Sequence, residues 1–326
     1  MDKSEETVLV AGGAGFIGSH LCKELLDDNY KVICVDNFLT SDKNNLQNFL
    51  QNPSFTLIEH DLIKSIPKAA FNMKDQRVDY IFHLASPASP NKKSAKSYIN
   101  YPIETLLVNS MGTYNLLELA RQFGAKFLYA SSSEIYGDPE VSPQKEEYFG
   151  NVNPNGVRSV YDEGKRFGEA ITIGYFRKYN LDARVIRIFN TYGPIMQAED
   201  GRAVSSFINQ AIENKPITVY GKGTQTRSFC YVDDMVLGIK LAMFSENTKG
   251  KIFNLGNPDE RTVLDIAKLI KNMTQSSSEI VFEELPTDDP RTRKPDISKA
   301  KKILGWEPEV AIEEGLKKTI EYFKSI

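Results

Sequence analysis

The sequence predicts an α/β chain: a doubly wound parallel sheet followed by a smaller C-terminal domain. Two observations predict it. Through the first 190 residues, short β-branched runs alternate with longer segments of helical spacing, and after Gly193 this rhythm breaks. Strands apolar at successive positions need cover on both faces, and helices crossing between parallel strands supply it.

The first strand is expected at Thr7–Val10 and a helix follows on Ile17, Leu21 and Leu25. Further strands are expected at Lys31–Val35, Phe55–Glu59, Tyr80–Leu84, Lys126–Ala130 and Arg184–Ile188. Helical patterns fill Leu106–Ala120 and Tyr161–Tyr179. Pro194–Gly201 reads as a loop, Val204–Asn214 as a helix and Ile217–Tyr220 as a strand. Then come a helix near Val263–Met273, a strand near Ile280–Phe282, a proline-rich stretch Pro286–Pro295 and an amphipathic helix Ile312–Phe323. The expected division is 1–190, completed by part of 229–258, and mainly 191–326. No internal repeat interrupts it.

Composition narrows the function classes. A formal net charge of -3 on 326 residues suggests neither a nucleic-acid binder nor a membrane-surface protein. An anionic ligand must therefore be held by a few placed cations. Cys22, Cys34 and Cys230 are widely spaced along the sequence with no CxxC pairing, which argues against a disulfide framework and a thiolate metal site, and His20, His60 and His83 are scattered. No metal is expected. Met1–Glu6 is polar and no run is long enough for a membrane span, so the reading is cytoplasmic.

The strongest local pattern is Gly12-Gly13-Ala14-Gly15-Phe16-Ile17-Gly18, directly after a strand and opening a helix. Such glycines let backbone N–H groups approach a pyrophosphate at a positive helix end, which makes the sheet Rossmann-type. Asp36 follows the second strand, where a carboxylate accepts ribose hydroxyls and repels a 2′-phosphate, so NAD is the expected cofactor. The bland alternative is a tight strand–helix joint with Asp36 as a turn residue; strand, helix and acid together outweigh it.

Tyr161 and Lys165 lie four apart on one helical face. A free phenol titrates near about 10, and a neighbouring ammonium together with a cationic nicotinamide favours the phenolate that accepts a hydroxyl proton. Tyr and Lys at this spacing more often mark a solvated face. Ser131-Ser132-Ser133 at the end of an upstream strand changes that balance, because Ser132 completes a Ser–Tyr–Lys set.

With these residues the chain resembles the extended short-chain dehydrogenases/reductases, and within them the UDP-glucuronate decarboxylases (UDP-xylose synthases). The resemblance runs through His83–Pro90, Ser131–Pro139, Tyr161–Arg166, Arg187–Pro194, Asp200–Arg202, Gln225–Phe229, Asp288–Pro290 and Arg293–Asp296. It implies a cofactor site that takes in Gly12, Gly15, Phe16, Ile17, Gly18, Asp36, Asn37, Asp61, Leu62, Leu84, Ala85 and Ser86, with Tyr161 and Lys165. It implies catalysis by Tyr161, Lys165, Ser132, Glu134 and Arg293. Pro87, Tyr98, Ser133, Glu134, Asn190, Arg202, Val204, Tyr220, Arg227 and Arg293 would contact a UDP-sugar. The related 4,6-dehydratases carry an acidic residue where Ser133 stands; Ser133-Glu134 with Arg293 is similar to the decarboxylase pattern. The bland alternatives are surface ion pairs for Arg227 and Arg293 and a capping carboxylate for Glu134. A homodimer through Leu106–Ala120 and Tyr161–Tyr179 is implied in the same way.

The chain departs from that pattern near the sugar. Asn91–Ser97 is an insertion with three lysines ahead of Tyr98; Ile103–Leu107 lacks lysines, and Val157 replaces a more usual proline. These departures leave open a UDP-sugar 4-epimerase, a nucleotide-sugar 4,6-dehydratase or, outside enzymes, a redox-inert NAD-binding scaffold. The intact Tyr161–Lys165 pair argues against the scaffold.

Overall fold

The computed structural model describes residues 3–67, 77–286 and 288–326; Met1, and Thr287 within the proline-rich stretch, lie outside them. The first half is β1 (Thr7–Ala11), α1 (Phe16–Asp27), β2 (Lys31–Asp36), β3 (Phe55–Glu59) and β4 (Tyr80–His83). It continues through α2 (Pro102–Leu107), α3 (Thr113–Phe123), β5 (Lys126–Ser132), α4 (Ser159–Tyr179) and β6 (Ala183–Ile188). All six strands stand within two residues of their expected bounds.

The second half holds β7 (Thr191–Tyr192), α5 (Ala203–Ile212), β8 (Ile217–Tyr220), β9 (Thr226–Ser228), β10 (Cys230–Tyr231) and α6 (Val232–Phe244). Then come β11 (Ile252–Leu255), β12 (Glu260–Thr262), α7 (Val263–Thr274), β13 (Ile280–Glu283), α8 (Ser298–Leu304) and α9 (Ile312–Ser325). Helices α6 and α8 and the strands β7 and β9 to β12 were not among the expected elements.

Seven strands form one sheet in the order β11-β6-β5-β4-β1-β2-β3, every neighbouring pair parallel. Successive side chains of a strand point to opposite faces, and the packing obeys this. Val8, Val10, Val32, Cys34, Leu128 and Ile186 pack in the layer of α1 and α6. Leu9, Ala11, Ile33, Val35, Phe127, Tyr129 and Val185 pack in the layer of α3 and α4. The strand order reverses between β1 and β4, so a crevice opens beyond their C-terminal ends, the place where such sheets hold ligands. The α1–α6 core runs on through α5 and α7 to Trp306 and α9.

One expected helix differs in form. Leu106–Ala120 begins four residues earlier, at Pro102, and is interrupted by a π-helical turn at Val108–Gly112. Its polar side chains bond to carbonyls one turn back: Thr105 Oγ1 donates to Tyr101 O (2.6 Å), Ser110 Oγ to Leu106 O (2.7 Å) and Thr113 Oγ1 to Asn109 O (2.7 Å). Such bonds compete with the regular ladder and loosen it locally. Among the described residues, no helix is long and apolar enough to cross a membrane.

Candidate active site

The crevice begins at the turn after β1. Gly12 has φ +81°, and a Cβ there would lie 2.7 Å from the Ala85 backbone; one on Gly18 would lie 2.1 Å from Gly12 O. The turn is therefore closed against Leu84–Ala85, at the end of β4, and against α1. Gly15 caps α1 with no side chain on the first N–H groups, and Phe16 and Ile17 begin the helix, leaving its positive end open to an anion.

Asp36 serves both readings of it. Its Oδ2 accepts from Ala14 N (3.0 Å), and Oδ1 accepts from Phe38 N (2.9 Å) and Ser41 Oγ (2.7 Å). It thus braces the glycine turn, and a carboxylate so engaged still has acceptor capacity. Exposed Asn37 and half-buried Asp61 fix their own loops by accepting from Leu39 N and Ile63 N (both 3.1 Å), and Leu62 is buried. Ser86 accepts from Asn109 Nδ2 (2.8 Å) and donates to the carbonyl of buried Pro87 (3.0 Å). A turn admitting no Cβ, an open helix end and an acid at the second strand fit a dinucleotide.

Strand β5 and helix α4 bring the Ser–Tyr–Lys set together. Tyr161 is buried and hydrogen-bonded to Ser132, whose Oγ also accepts from Glu134 N (3.2 Å). Lys165 Nζ donates to Ala130 O (2.9 Å) and lies 5.5 Å from the Tyr161 ring centre. The electrostatics differ from the sequence expectation. Burial pulls Lys165 down to about 7, so its own charge is only partly present at neutral pH. Burial and the Glu134 charge raise the Tyr161 phenol, while the Ser132 hydrogen bond and the Arg202 cation lower it. The protein alone therefore keeps the phenol protonated.

Tyr98 stacks on Tyr161 (centroids 4.9 Å, 11° between planes) and donates from its hydroxyl to Glu134 Oε2 (3.3 Å). Glu134 Oε1 is gripped by Arg158 (2.8 Å) and Arg293 (3.4 Å). Burial works against the Glu134 charge, and the two guanidiniums outweigh it, holding the carboxyl well below the usual range. Arg293 is only 5% exposed, and its Nε has no partner.

Glu134, Arg158 and Arg293 form part of the wall of a cavity of about 970 Å³. Asn190, Arg202, Val204, Tyr220 and Arg227 also line it, as do Lys92 and Lys93 of the insertion. Tyr98 and Ser133 are buried and are not part of this wall. Arg202 pairs with Asp200, Arg227 with Asp289 (2.8 Å), and Lys93 with Glu283 (3.6 Å). Arg227 and Arg293 are not the surface ion-pair residues of the bland reading, because both are buried. His83 is buried, lowered to about 3 chiefly by desolvation, and contacts Thr113 Oγ1 through Nε2 (3.1 Å).

Sequence reasoning missed Arg158, Asp289, Asp162 and Asn109. Arg158 joins Glu134 to Asp289, forming a chain of charges Arg293–Glu134–Arg158–Asp289–Arg227. Its signal was its place one helical turn before Tyr161, and that of Asp289 was the Asp-Asp-Pro motif.

Residues 8–256 match the model of the NAD dependent epimerase/dehydratase family. The chain is 48% identical to UDP-glucuronic acid decarboxylase 1 of Xenopus tropicalis over 99% of its own length and 73% of that protein. It is also 48% identical to UDP-glucuronic acid decarboxylase 6 of Arabidopsis thaliana, over 99% of its length and 90% of the relative. Among solved structures it is similar to a UDP-glucuronic acid 4-epimerase from Bacillus cereus in complex with UDP-glucuronic acid and NAD, with TM-score 0.86 and 29% identity over 98% of this chain and 99% of that one. Glycine turn, Tyr161–Lys165 pair and full-length likeness agree: the chain belongs to the NAD dependent epimerase/dehydratase family of extended short-chain dehydrogenases/reductases, and within it groups with the UDP-glucuronic acid decarboxylases.

Proposed function

We propose that the protein converts UDP-glucuronate to UDP-xylose by oxidation at C4, loss of carbon dioxide and re-reduction. The observation that carries this reading is Arg293, buried at the cavity wall beside Glu134 with a free Nε donor, one stacked tyrosine away from Tyr161. A buried guanidinium with an unused donor is costly to maintain unless an anion meets it, and the sugar carboxylate is such an anion.

NAD bound on the glycine turn supplies the reversible two-electron acceptor for C4. Tyr161 takes the C4 hydroxyl proton, helped by Lys165 and oriented by Ser132. The resulting C4 ketone makes the sugar a β-keto acid, so the C5–C6 pair can stay behind as an enolate when carbon dioxide leaves. Donors from Tyr161 and Ser132 stabilise the enolate oxygen, and Glu134 serves protonation at C5. Arg227 and Asn190 hold the diphosphate; Arg202, Val204 and Tyr220 lie toward the nucleotide, with Pro87, Tyr98 and Ser133 toward the sugar.

We assign cofactor binding to 1–190 with part of 229–258, and nucleotide-sugar binding mainly to 191–326. Three unpaired, buried cysteines support a reducing, cytoplasmic setting. Exposed Ile103, Met111, Tyr114 and Phe167 on α2, its π-helical turn, α3 and α4 support a homodimer.

Incubation with NAD and UDP-glucuronate, followed by mass spectrometry, tests the reading. The expected product has lost carbon dioxide. A product of unchanged mass would make the enzyme an epimerase, and no turnover of any UDP- or dTDP-sugar would remove the enzymatic reading. Tyr161→Phe is expected to lower turnover by at least about 10³-fold while NAD binding, followed by calorimetry, persists.

A further inference from the structure

Glu134 has a second carboxyl beside it. Asp162, the residue after Tyr161, is 6% exposed and lies in hydrogen-bond contact with Glu134. No donor reaches Asp162 Oδ1. The guanidiniums on this side are already engaged: Arg158 and Arg293 both address Glu134, and Arg158 also addresses Asp289. A charged Asp162 would leave a buried oxygen without a donor and a like charge at hydrogen-bond distance. A neutral Asp162 donating to Glu134 removes both costs.

The position of Asp162 gives this proton a route. A second cavity of about 60 Å³ is lined by Asp162, Arg158, Arg293, Asp138, Asn151 and Asp288 among others. Arg158 and Arg293 are common to the walls of both cavities; Glu134 lines only the large one and Asp162 only the small one. The small cavity has room and polar partners for water. The other carboxyls around it have partners of their own: Asp138 pairs with Arg291 (3.0 Å), and Asp288 accepts from Asn153 (3.5 Å). On the sugar side, the Asp162 carboxyl lies close enough to the Tyr98 and Tyr161 phenols to help keep them protonated.

We propose that Asp162 is a positioning residue that passes a proton from the small cavity to Glu134, which delivers it to C5 after carbon dioxide leaves. This rests on the decarboxylase reading above. The C5–C6 bond breaks and its electron pair remains on C5 as the enolate of the C4 ketone. Glu134, ionised at rest, first takes the Asp162 proton and then gives it to C5, and Asp162 takes one from water in the small cavity. One solvent proton is consumed for each carbon dioxide released. Burial and the Glu134 charge raise the Asp162 carboxyl well above the ordinary range, which keeps it loaded near neutrality.

The test uses the full chain with NAD and UDP-glucuronate labelled with ¹³C at the carboxyl group. Asp162→Asn keeps an N–H donor toward Glu134 but cannot pass a proton. UDP-pentose formation should fall by about 10²-fold, and the fall of wild-type kcat at alkaline pH should vanish, because the acid whose ionisation causes it is gone. Asp162→Glu should restore that alkaline limb. In infrared spectra of wild-type enzyme labelled with ¹³C-aspartate, a neutral carboxylic acid band should persist at neutral pH and be missing from Asp162→Asn. Wild-type kcat and an unchanged pH profile in Asp162→Asn would overturn the proposal. So would the absence of the neutral band in wild type, a result that holds even where the variant does not fold. Wild-type enzyme that releases no ¹³CO₂ would instead refute the decarboxylase reading, and the infrared band distinguishes the two failures.

Discussion

Lys165 is a cation in a place that suits none. It is 3% exposed, its one hydrogen bond is to Ala130 O, and the Glu169 charge only partly offsets its desolvation. The folded chain holds it at about 7, against an ordinary value of 10.5. Below pH 7 both folded and unfolded chains carry the proton, and folding bears the full desolvation cost. Between the two values the unfolded chain holds the proton alone, so this residue makes stability rise with pH. Lys165→Met should therefore abolish turnover yet stabilise the cofactor-free protein by about 2 kcal/mol at pH 6–7, with the gain shrinking toward pH 10. Urea melts across that pH range measure it, and a variant less stable than wild type at pH 6 would refute it. The Ser–Tyr–Lys set was legible because its spacing is chemical. The charge on Lys165 was not, because burial cannot be counted from a sequence, and the same holds for Arg158 and Asp162. On a helix pattern, acids and bases beside Tyr161 look like a solvated face.

At the scale of elements, the site depends on how closely α4 lies on the sheet. Gly168 allows this: a Cβ there would fall 2.1 Å from Tyr129 Cζ and 2.2 Å from its hydroxyl oxygen. That ring has Lys165 Nζ 5.2 Å from its centre and donates through its hydroxyl to Asn109 (2.9 Å). Asn109 in turn lies on the π-helical turn and donates to Ser86. Helix, strand and cofactor loop are thus tied through one tyrosine. Gly168→Ala should push α4 from β5, costing about 1–3 kcal/mol, and should lower kcat as Tyr161 and Lys165 move with the helix. Unfolding midpoints and steady-state rates check it; unchanged values for both would mean the contact is slack. Elements were legible where their period was clean. The strands of the first half were, since β-branched runs between helical patterns have one reading. Val232–Phe244 was not, because apolar Leu237, Leu241 and Phe244 stand opposite the stripe of Val232, Met235, Ile239 and Met243 and leave little polar face to show a helical period. The π-helical turn was hidden because it arises from hydroxyl-to-carbonyl bonds that an apolar pattern does not record.

At the scale of the whole molecule, α4, which carries Tyr161 and Lys165, and its neighbours α2 and α3 show apolar side chains to water. Ile103 and Phe167 are 60% and 48% exposed, and Met111 and Tyr114 are comparably so. These belong to α2, the π-helical turn, α3 and α4, the region expected from the family resemblance to meet a second copy. The core does not need these side chains, since the layer under α3 and α4 is already filled by Leu116, Leu117, Leu119 and Tyr175. Large apolar groups left in water on neighbouring helices indicate a surface that is covered in use. In a two-fold interface each substitution acts twice, once from each copy. Replacing Tyr114 and Phe167 together by glutamate should therefore weaken association by at least about 2 kcal/mol, roughly 30-fold in Kd. Light scattering and sedimentation should show the wild type as a dimer and the double variant shifted to monomer. The unfolding midpoint of the isolated monomer then reports whether the site survives alone. Because α4 carries Tyr161, Lys165 and Asp162, the monomer is expected to lose activity along with its partner; a wild-type monomer would overturn the dimer, and a fully active monomeric variant would show that α4 needs no second copy to hold its place.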